Sequence, residues 1–163
     1  MISGKGGAGK TSLGVNLSIA LKQLGNEVEL IDADFDASNL GVYLGRYDHP
    51  VKFQDVLAGD SEAESAIFRH PTGIKAVVSS NNIDKTEPDT ANFKDMIDTA
   101  ADESDYVIVD GPPGLNDTVE TLIAACDEED FSQFSFVHSL LFRYLFRPGN
   151  YVHLYVLYRF SCL

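Results

Sequence analysis

Residues 4–12 read Gly-Lys-Gly-Gly-Ala-Gly-Lys-Thr-Ser, which satisfies the phosphate-loop pattern G-x-x-x-x-G-K-[ST]. Glycines in such a loop let the backbone curl tightly, so that successive N–H groups point at phosphate oxygens. A helix is predicted to begin near Lys10, and its N-terminal amides and dipole favour a bound anion. The stretch therefore predicts a nucleotide triphosphate site at the start of a helix. A glycine-rich turn that caps an ordinary helix is the alternative.

Individual roles follow from the chemistry of the loop. Lys10 is predicted to reach the β- and γ-phosphates as a point charge, and the Thr11 hydroxyl to complete the oxygen shell of a Mg²⁺ ion. Phosphate contacts are assigned to the whole loop, which comprises Gly4, Lys5, Gly6, Gly7, Ala8, Gly9, Lys10, Thr11 and Ser12. Lys5 is a second lysine directly after the first glycine, and a solvated loop lysine is the alternative for it.

The two-lysine loop from Gly4 to Thr11 resembles the deviant phosphate loop of the MinD/ParA family of ATPases. The resemblance extends over residues 3 to about 128 and rests on three motifs in the family's order. It implies that Lys5 reaches the phosphates of a partner subunit across a nucleotide-sandwich dimer, so that hydrolysis needs dimerisation.

The second motif follows an alternating segment, residues 27–31, which ends in Asp32-Ala33-Asp34. A glycine-rich loop, a helix and a strand ending in acids predict a βαβ unit with the acids at the ligand-binding edge. Asp32 and Asp34 resemble the family's first switch segment, and Asn39 fits the Asn-Leu that follows there. The resemblance implies that Asp34 orients the attacking water and that Asp32 lies near Mg²⁺ and the phosphates. Acids that cap the next turn are the alternative.

The third motif is carried by residues 105–114. Tyr106–Val109 is a short apolar run typical of a strand buried on both faces. Asp110 then occupies the Walker B position, which holds Mg²⁺ directly or through its water. The segment Gly111-Pro112-Pro113-Gly114 resembles the family's second switch, in which the Gly114 N–H would sense the γ-phosphate. A strand-end acid in a turn is the alternative for Asp110.

The alternation of strands and helices predicts an α/β fold, a P-loop NTPase-type, mostly parallel sheet flanked by helices and incomplete at both ends. Helices are predicted over residues 13–24, 51–58, 61–69, 90–102 and 117–125, and a further strand over residues 74–79. Residues 13–24 are expected to be largely buried, with Gly25 as the stop. Only three residues precede the loop, which predicts a very short central strand.

Residues 1–130 are predicted to form one P-loop nucleotide-binding domain. From residue 131 onward the chain contains no acid, and ten of its 17 aromatic residues fall there. We interpret residues 131–163 as an anomalous aromatic-rich tail, translated in a shifted reading frame or from a decayed gene. Two alternatives stay open, an amphipathic helix on a membrane surface over residues 137–147 and an edge strand over residues 151–160.

The net charge is −13, and all 25 acidic residues precede residue 131. A nucleic-acid binder usually presents a basic face, so nucleic acid is not expected as a partner. An acidic surface of this kind suits a cytoplasm of very high salt. Cys126 and Cys162 lack paired spacing, which disfavours a metal site or a disulfide framework. Without a signal peptide or a long apolar run, the expected location is cytoplasmic, including peripheral association with a membrane.

The predicted function is Mg²⁺-dependent hydrolysis of ATP by a nucleotide-switched homodimer that positions division or chromosome-partition machinery through an unidentified protein partner. Catalysis is assigned to Lys5, Lys10 and Asp34, and Mg²⁺ ligation to Thr11 and Asp110. One alternative is a non-catalytic, truncated remnant that binds nucleotide weakly or not at all. The other, an iron–sulfur assembly ATPase, is disfavoured by the cysteine spacing.

Overall fold

The computed structural model describes residues 9–80, 90–113, 120 and 122, and two short strands in the tail. Within these residues the helices are α1 (Lys10–Gln23), α2 (Leu40–Tyr43), α3 (Phe53–Leu57), α4 (Ala63–Ala66) and α5 (Thr90–Asp102). The strands are β1 (Val28–Asp32), β2 (Phe68–Arg69), β3 (Lys75–Val77), β4 (Tyr106–Asp110), β5 (Leu140–Leu141) and β6 (Tyr158–Arg159).

The main sheet has the strand order β2-β3-β1-β4. Strand β1 runs parallel to both β3 and β4, whereas β2 pairs antiparallel with β3. Every residue of β1 is buried, as are the last four residues of β4. Burial on both faces is typical of parallel strands covered by helices. The predicted α/β fold with a mostly parallel sheet is confirmed.

Two apolar clusters pack on opposite faces of this sheet, because successive residues of a strand point to opposite sides. The first cluster contains the strand residues Ile31, Val77 and Val109 together with residues of α3, α4 and α5. The second contains Leu30, Ala76 and Ile108 together with residues of α1 and α2. Helix α1 thus lies on one face, and its N-terminus is held at one edge of the sheet.

Helix α1 is less buried than its sequence pattern predicts. Gly14, Val15 and Ser18 are buried, whereas Leu13 and Leu24 are 44% and 79% exposed. The helix packs on β1 and β4, and its remaining leucines, Leu17 and Leu21, are only partly buried against the apolar cluster on that face. The prediction that residues 13–24 are largely buried is therefore wrong.

The helix predicted over residues 61–69 ends early. Only Ala63–Ala66 are helical, and Phe68 and Arg69 instead form β2 by pairing with Ala76 and Lys75 of β3. That pairing is a tertiary interaction without a local sequence signal. The helices predicted over 51–58 and 90–102 and the strand predicted over 74–79 are confirmed, with shorter bounds for the first helix and the strand.

In the tail, Leu140 pairs with Arg159 and Leu141 with Tyr158 as antiparallel strands. The alternative of an amphipathic helix over residues 137–147 is wrong at Leu140–Leu141, since these residues form β5. Strand β6 lies inside residues 151–160, the alternative edge strand. Of the helix predicted over 117–125, only Glu120 and Leu122 are described, and both are helical. No helix in the described part of the chain is long and apolar enough to cross a membrane.

Candidate functional site

The carboxyl ends of β1 and β4 bring two predicted acids together. Asp32 lies opposite Asp110 in the parallel register, and the Ala33 amide donates to the Asp110 carbonyl at 2.8 Å. The two acids are almost completely buried, with 0% and 2% of their surface exposed. Ligands of open α/β sheets bind at the carboxyl edge of the strands, and both acids lie at this edge.

Helix α1 begins at the same edge. Gly9 precedes it with a φ of 84°, in the left-handed region that glycine adopts without the steric cost of a Cβ. Lys10 is only 8% exposed, and hydrogen bonding from the Thr11 side chain lowers the pKa of the Asp110 carboxyl in part. The first amides of a helix have no partner within the helix. Lys10 and Thr11 of the first motif and Asp110 of the third therefore meet at one site.

Asp110 has one oxygen without a hydrogen-bond partner. Its Oδ1 is buried and accepts no hydrogen bond from the described residues. Burial raises the pKa of the Asp110 carboxyl above its ordinary 3.8, while the Thr11 hydrogen bond and the Lys10 charge act in the opposite direction. A carboxylate and a hydroxyl are oxygen ligands of the kind that Mg²⁺ prefers. These two side chains fit a magnesium ion.

The described ranges contain no group of three or more His, Cys, Asp and Glu residues placed to hold a metal by themselves. Mg²⁺ usually keeps several waters and binds through one or two carboxylates and substrate phosphates. A single carboxylate with a neighbouring hydroxyl therefore suits a Mg²⁺ ion that arrives with a nucleotide. It does not suit a metal cage built from protein side chains alone.

Asp32 is the centre of a hydrogen-bond network. Its Oδ2 accepts from the Ser38 hydroxyl at 2.7 Å and from the Leu40 amide at 3.3 Å, and its Oδ1 accepts from the Asp34 amide at 3.1 Å. Burial raises the pKa of Asp32 to about 7, although the Ser38 hydrogen bond lowers it in part. Both carboxylate oxygens are engaged by the loop that follows β1.

Asp34 belongs to the same cluster and also caps a turn. Its Oδ1 accepts from the Ala37 amide at 3.0 Å, which is the turn-capping contact that aspartate often makes. The side chain is half-buried, and its negative charge helps raise the pKa of both Asp32 and Asp110. The capping interaction anticipated as an alternative is present, and it fixes one oxygen of the carboxylate.

Part of the predicted site lies outside the described residues, namely Gly4, Lys5, Gly6, Gly7, Ala8 and Gly114. Ser12 is described, and its hydroxyl donates to Tyr43 Oη at 2.9 Å on the protein surface. Asn39 directly precedes α2, and its Nδ2 donates to the Ala37 carbonyl at 2.6 Å. The roles of the residues outside the described ranges stay predictions.

Sequence reasoning misses two buried serines at this edge. Ser79 Oγ donates to the Asp32 carbonyl at 2.6 Å, and Ser38 Oγ lies 2.9 Å from the Ser79 carbonyl oxygen. The strand predicted over residues 74–79 ends at Ser79, so the strand-edge rule could have placed that residue beside the acids. Ser38 has no comparable signal in the sequence.

A family model described as an AAA domain matches residues 1–129. This chain belongs to the MinD/ParA-type family of P-loop ATPases. An uncharacterised ATP-binding protein of Methanocaldococcus jannaschii is 35% identical over 127 residues, covering 77% of this chain and 48% of that protein. The septum site-determining protein MinD of Synechocystis sp. is 33% identical over 129 residues, with coverage of 77% and 48%.

Among solved structures, MinD of Pyrococcus horikoshii in complex with Mg-ADP superposes with a TM-score of 0.69 at 30% identity. The match covers 76% of this chain and 53% of that one. The chain spans about half the length of the curated relatives it matches. These comparisons confirm the predicted family and fold, whereas the roles of single residues stay predictions.

Proposed function

We propose that this member of the MinD/ParA-type family binds ATP with Mg²⁺ where α1, β1 and β4 meet, and hydrolyses the ATP to ADP. The observation that carries the proposal is the buried Asp110 carboxyl at the end of β4, which meets Thr11 and the nearly buried Lys10 at the start of α1. The buried Asp110 Oδ1, which has no partner among the described residues, supports a cation at this point. The Mg-ADP bound to the P. horikoshii relative supports the same class of ligand.

In this proposal the charges of the site act on the phosphates. Lys10 and the amides of residues 4–9 stabilise the negative charge of the β- and γ-phosphates, and the Gly114 amide senses the γ-phosphate. Thr11 and Asp110 hold Mg²⁺, which supplies positive charge to the phosphate oxygens when it is bound. Catalysis of this kind depends mostly on positioning and on electrostatic stabilisation.

Asp34 orients the attacking water in the same scheme. The Asp34 side chain lies at the carboxyl edge with Asp32 and Asp110, and the Ala37 amide fixes its orientation. This capping contact also favours the second candidate function, a non-catalytic nucleotide-binding chain in which Asp34 serves only the turn. Measurement of turnover separates the two candidates.

The proposal includes a nucleotide-dependent homodimer in the cytoplasm, in which Lys5 completes the site of the partner subunit. ATP binding would then switch the affinity for a protein partner that positions division or partition machinery, including at a membrane surface. The septum site-determining name of the Synechocystis relative supports this class of role. Light scattering with a non-hydrolysable ATP analogue tests the dimer, which Lys5→Ala should weaken.

Phosphate release from Mg-ATP tests the hydrolysis directly. Turnover by the wild-type chain should be lost in Lys10→Ala and in Asp34→Ala. The control is Lys94→Ala, because Lys94 is a half-exposed lysine on α5 that lies 3.7 Å from Asp98. Equal rates in all four proteins would contradict the proposal. Mg-ATP binding without turnover in the wild type would support the non-catalytic candidate.

A further inference from the structure

The loop that follows β1 is fastened to the sheet by a closed set of hydrogen bonds between three buried residues. Ser38 Oγ lies 2.7 Å from Asp32 Oδ2 and 2.9 Å from the Ser79 carbonyl oxygen. Ser79 Oγ in turn donates to the Asp32 carbonyl at 2.6 Å. Asp32 is 0% exposed, and each serine is 7% exposed. The set joins the ends of β1 and β3 to the loop between β1 and α2.

Ser38 is the member that belongs to the loop itself. A serine hydroxyl has one hydrogen, so it donates to one of its two neighbours at a time. An ionised carboxylate is the stronger acceptor, which places this hydrogen on Asp32 Oδ2 when Asp32 is charged. The Leu40 amide donates to the same oxygen at 3.3 Å. Two contacts from the loop therefore meet on Asp32 Oδ2.

The other oxygen of Asp32 links this set to Asp34. Asp32 Oδ1 accepts the Asp34 amide at 3.1 Å, and the Asp34 carboxylate accepts the Ala37 amide at 3.0 Å. The backbone of residues 34–40 is thus held at its start, its middle and its end. Loss of the Ser38 contact removes the only side-chain contact from this loop to the Asp32 carboxylate that is described.

We propose that Ser38, together with Ser79, is a positioning residue that holds the loop of residues 33–40 so that Asp34 faces the reacting phosphate. This inference rests on the proposed ATPase function and adds the residues that orient its water-positioning acid. Ser38 and Ser79 act through Asp32 and the loop, and neither needs to touch the nucleotide. The expected consequence is therefore on the rate of the chemical step and not on nucleotide affinity.

The test compares Ser38→Ala, Ser79→Ala and the double variant with the wild type. Ser18→Ala is the matched control, because Ser18 is also buried and its hydroxyl donates to the Gly14 carbonyl at 2.7 Å within α1. Three quantities are measured, namely kcat for Mg-ATP, the Kd for Mg-ADP, and hydrogen exchange of the amides of residues 33–40. A displacement of about 1 Å at a catalytic group can cost roughly a hundredfold in rate.

We expect Ser38→Ala to lower kcat by about tenfold to a hundredfold and to leave the Kd for Mg-ADP within about twofold. Exchange should become faster in residues 33–40, and the control should change none of these quantities. The double variant should lose little more than the worse single variant, since the residues act as one unit. An unchanged kcat, or a fall in kcat that merely follows a loss of Mg-ADP affinity, would overturn the inference.

Failure of the proposed ATPase function is distinguishable from failure of this inference. If the wild type has no turnover, the ATPase proposal fails. The hydrogen-exchange measurement then decides whether Ser38 holds the loop of residues 33–40 in place. Faster exchange confined to residues 33–40 in Ser38→Ala, but absent from Ser18→Ala, would then still support the positioning role. Unchanged exchange in that loop would overturn it.

Discussion

Glu29 is an acid within β1, a strand whose five residues are all buried. Its side chain is 0% exposed, and neither carboxylate oxygen accepts a hydrogen bond from the described residues. Burial raises the pKa of Glu29 from 4.5 to about 7, although the charge of Lys75 lowers it in part. Lys75 is the cross-strand neighbour of Glu29, but its ammonium donates to Glu103 Oε2 at 2.8 Å. The carboxyl is thus left without a close partner there.

The substitution Glu29→Gln should remove a pH-dependent loss of stability. The neutral carboxyl is favoured in the folded state, so its stabilisation is full below about pH 4.5 and is lost as the pH rises to about 7. The rise in the pKa of Glu29 from 4.5 to about 7 corresponds to a loss of roughly 3 kcal/mol in the free energy of unfolding. Urea unfolding at pH 5 and at pH 8 measures the free energy of unfolding. Between these pH values it should fall less for the variant than for the wild type.

Asp32 also makes stability depend on pH in this range, because its pKa is raised to about 7. Its effect is the same in the wild type and in Glu29→Gln, so it cancels when the two are compared. Glu64→Gln is the control, since Glu64 is an exposed acid on α4. An identical pH dependence in the wild type and Glu29→Gln would contradict the burial of an unpaired carboxyl at this position.

Some residues of the candidate site could be predicted from the sequence, and others could not. Lys10, Thr11 and Asp110 could be predicted because each occupies a fixed place in a motif, and the structure brings them together. Ser38 and Ser79 could not be assigned, because their contacts depend on how close the β1–α2 loop approaches the end of β3. That distance is a tertiary property with no counterpart in residue spacing.

Among the helices, α1 shows a sequence signal that the structure confirms. Gly25 has a φ of 95°, its amide donates to the Lys22 carbonyl at 3.0 Å, and the Asn26 amide donates to the Leu21 carbonyl at 3.3 Å. This pair of hydrogen bonds forms the Schellman motif at a helix C-terminus. Gly25 was expected to stop the helix, and the left-handed backbone is the physical reason.

The substitution Gly25→Ala should destabilise the chain by about 1 kcal/mol, because a Cβ disfavours the left-handed conformation. A Cβ at this position meets no other atom within 4 Å, so backbone strain alone determines the cost. Urea unfolding measures the loss, and Gln23→Ala is the control because Gln23 is an exposed residue in the last turn of α1. Equal stability of the wild type and Gly25→Ala would contradict this account of the helix end.

Helices in which apolar residues recur at a regular spacing could be predicted from the sequence. A strand that exists only because it pairs with a distant strand could not. Helix α5 was anticipated because Phe93, Met96 and Ile97 recur at helical spacing, and all three are buried against the sheet. Strand β2 has only two residues, and it exists because Phe68 and Arg69 pair with β3. The same tertiary packing buries small residues of α1 against the sheet, whereas its leucines are at most partly buried.

Charge is the property of the whole molecule with the clearest consequence. The net charge is −13, and the ion pairs in the described part of the chain join Lys22 and Arg69 to Glu27, Lys75 to Glu103, and Lys94 to Asp98. Most acids of the described residues take part in none of these pairs, and their charges repel one another. Salt shortens the range of this repulsion, from about 10 Å at 0.1 M to about 3 Å at 1 M.

The midpoint of thermal unfolding should rise when KCl is increased from 0.1 M to 2 M, because screening removes the self-repulsion. A variant with fewer exposed acids, Glu62→Gln with Glu64→Gln, should show a weaker dependence on salt. Full stability in dilute buffer, with no change on adding KCl, would contradict the account of an acidic surface suited to high salt.

For the whole molecule, the order of the strands in the sheet could not be predicted from the sequence pattern. The alternation of helices and strands predicted a mostly parallel sheet, but the place of β1 between β3 and β4 depends on long-range pairing. The family motifs still predict one candidate site, because each described motif residue ends a strand or begins a helix at the same edge of the sheet. The predicted boundary between residues 1–130 and the aromatic-rich tail lies outside the described residues.

The central claim is that the N-terminus of α1, with Lys10, Thr11 and Asp110, forms a Mg-ATP site in a folded chain. Thermal unfolding in high-potassium buffer, with and without Mg-ATP, on the wild type and Lys10→Ala tests it most directly. A ligand that binds only the native state raises the midpoint, by an amount equivalent to about 2.7 kcal/mol at 100 times its Kd. The account predicts a cooperative transition that Mg-ATP raises in the wild type but not in Lys10→Ala. An equal shift in both proteins, or no shift in the wild type, would contradict it.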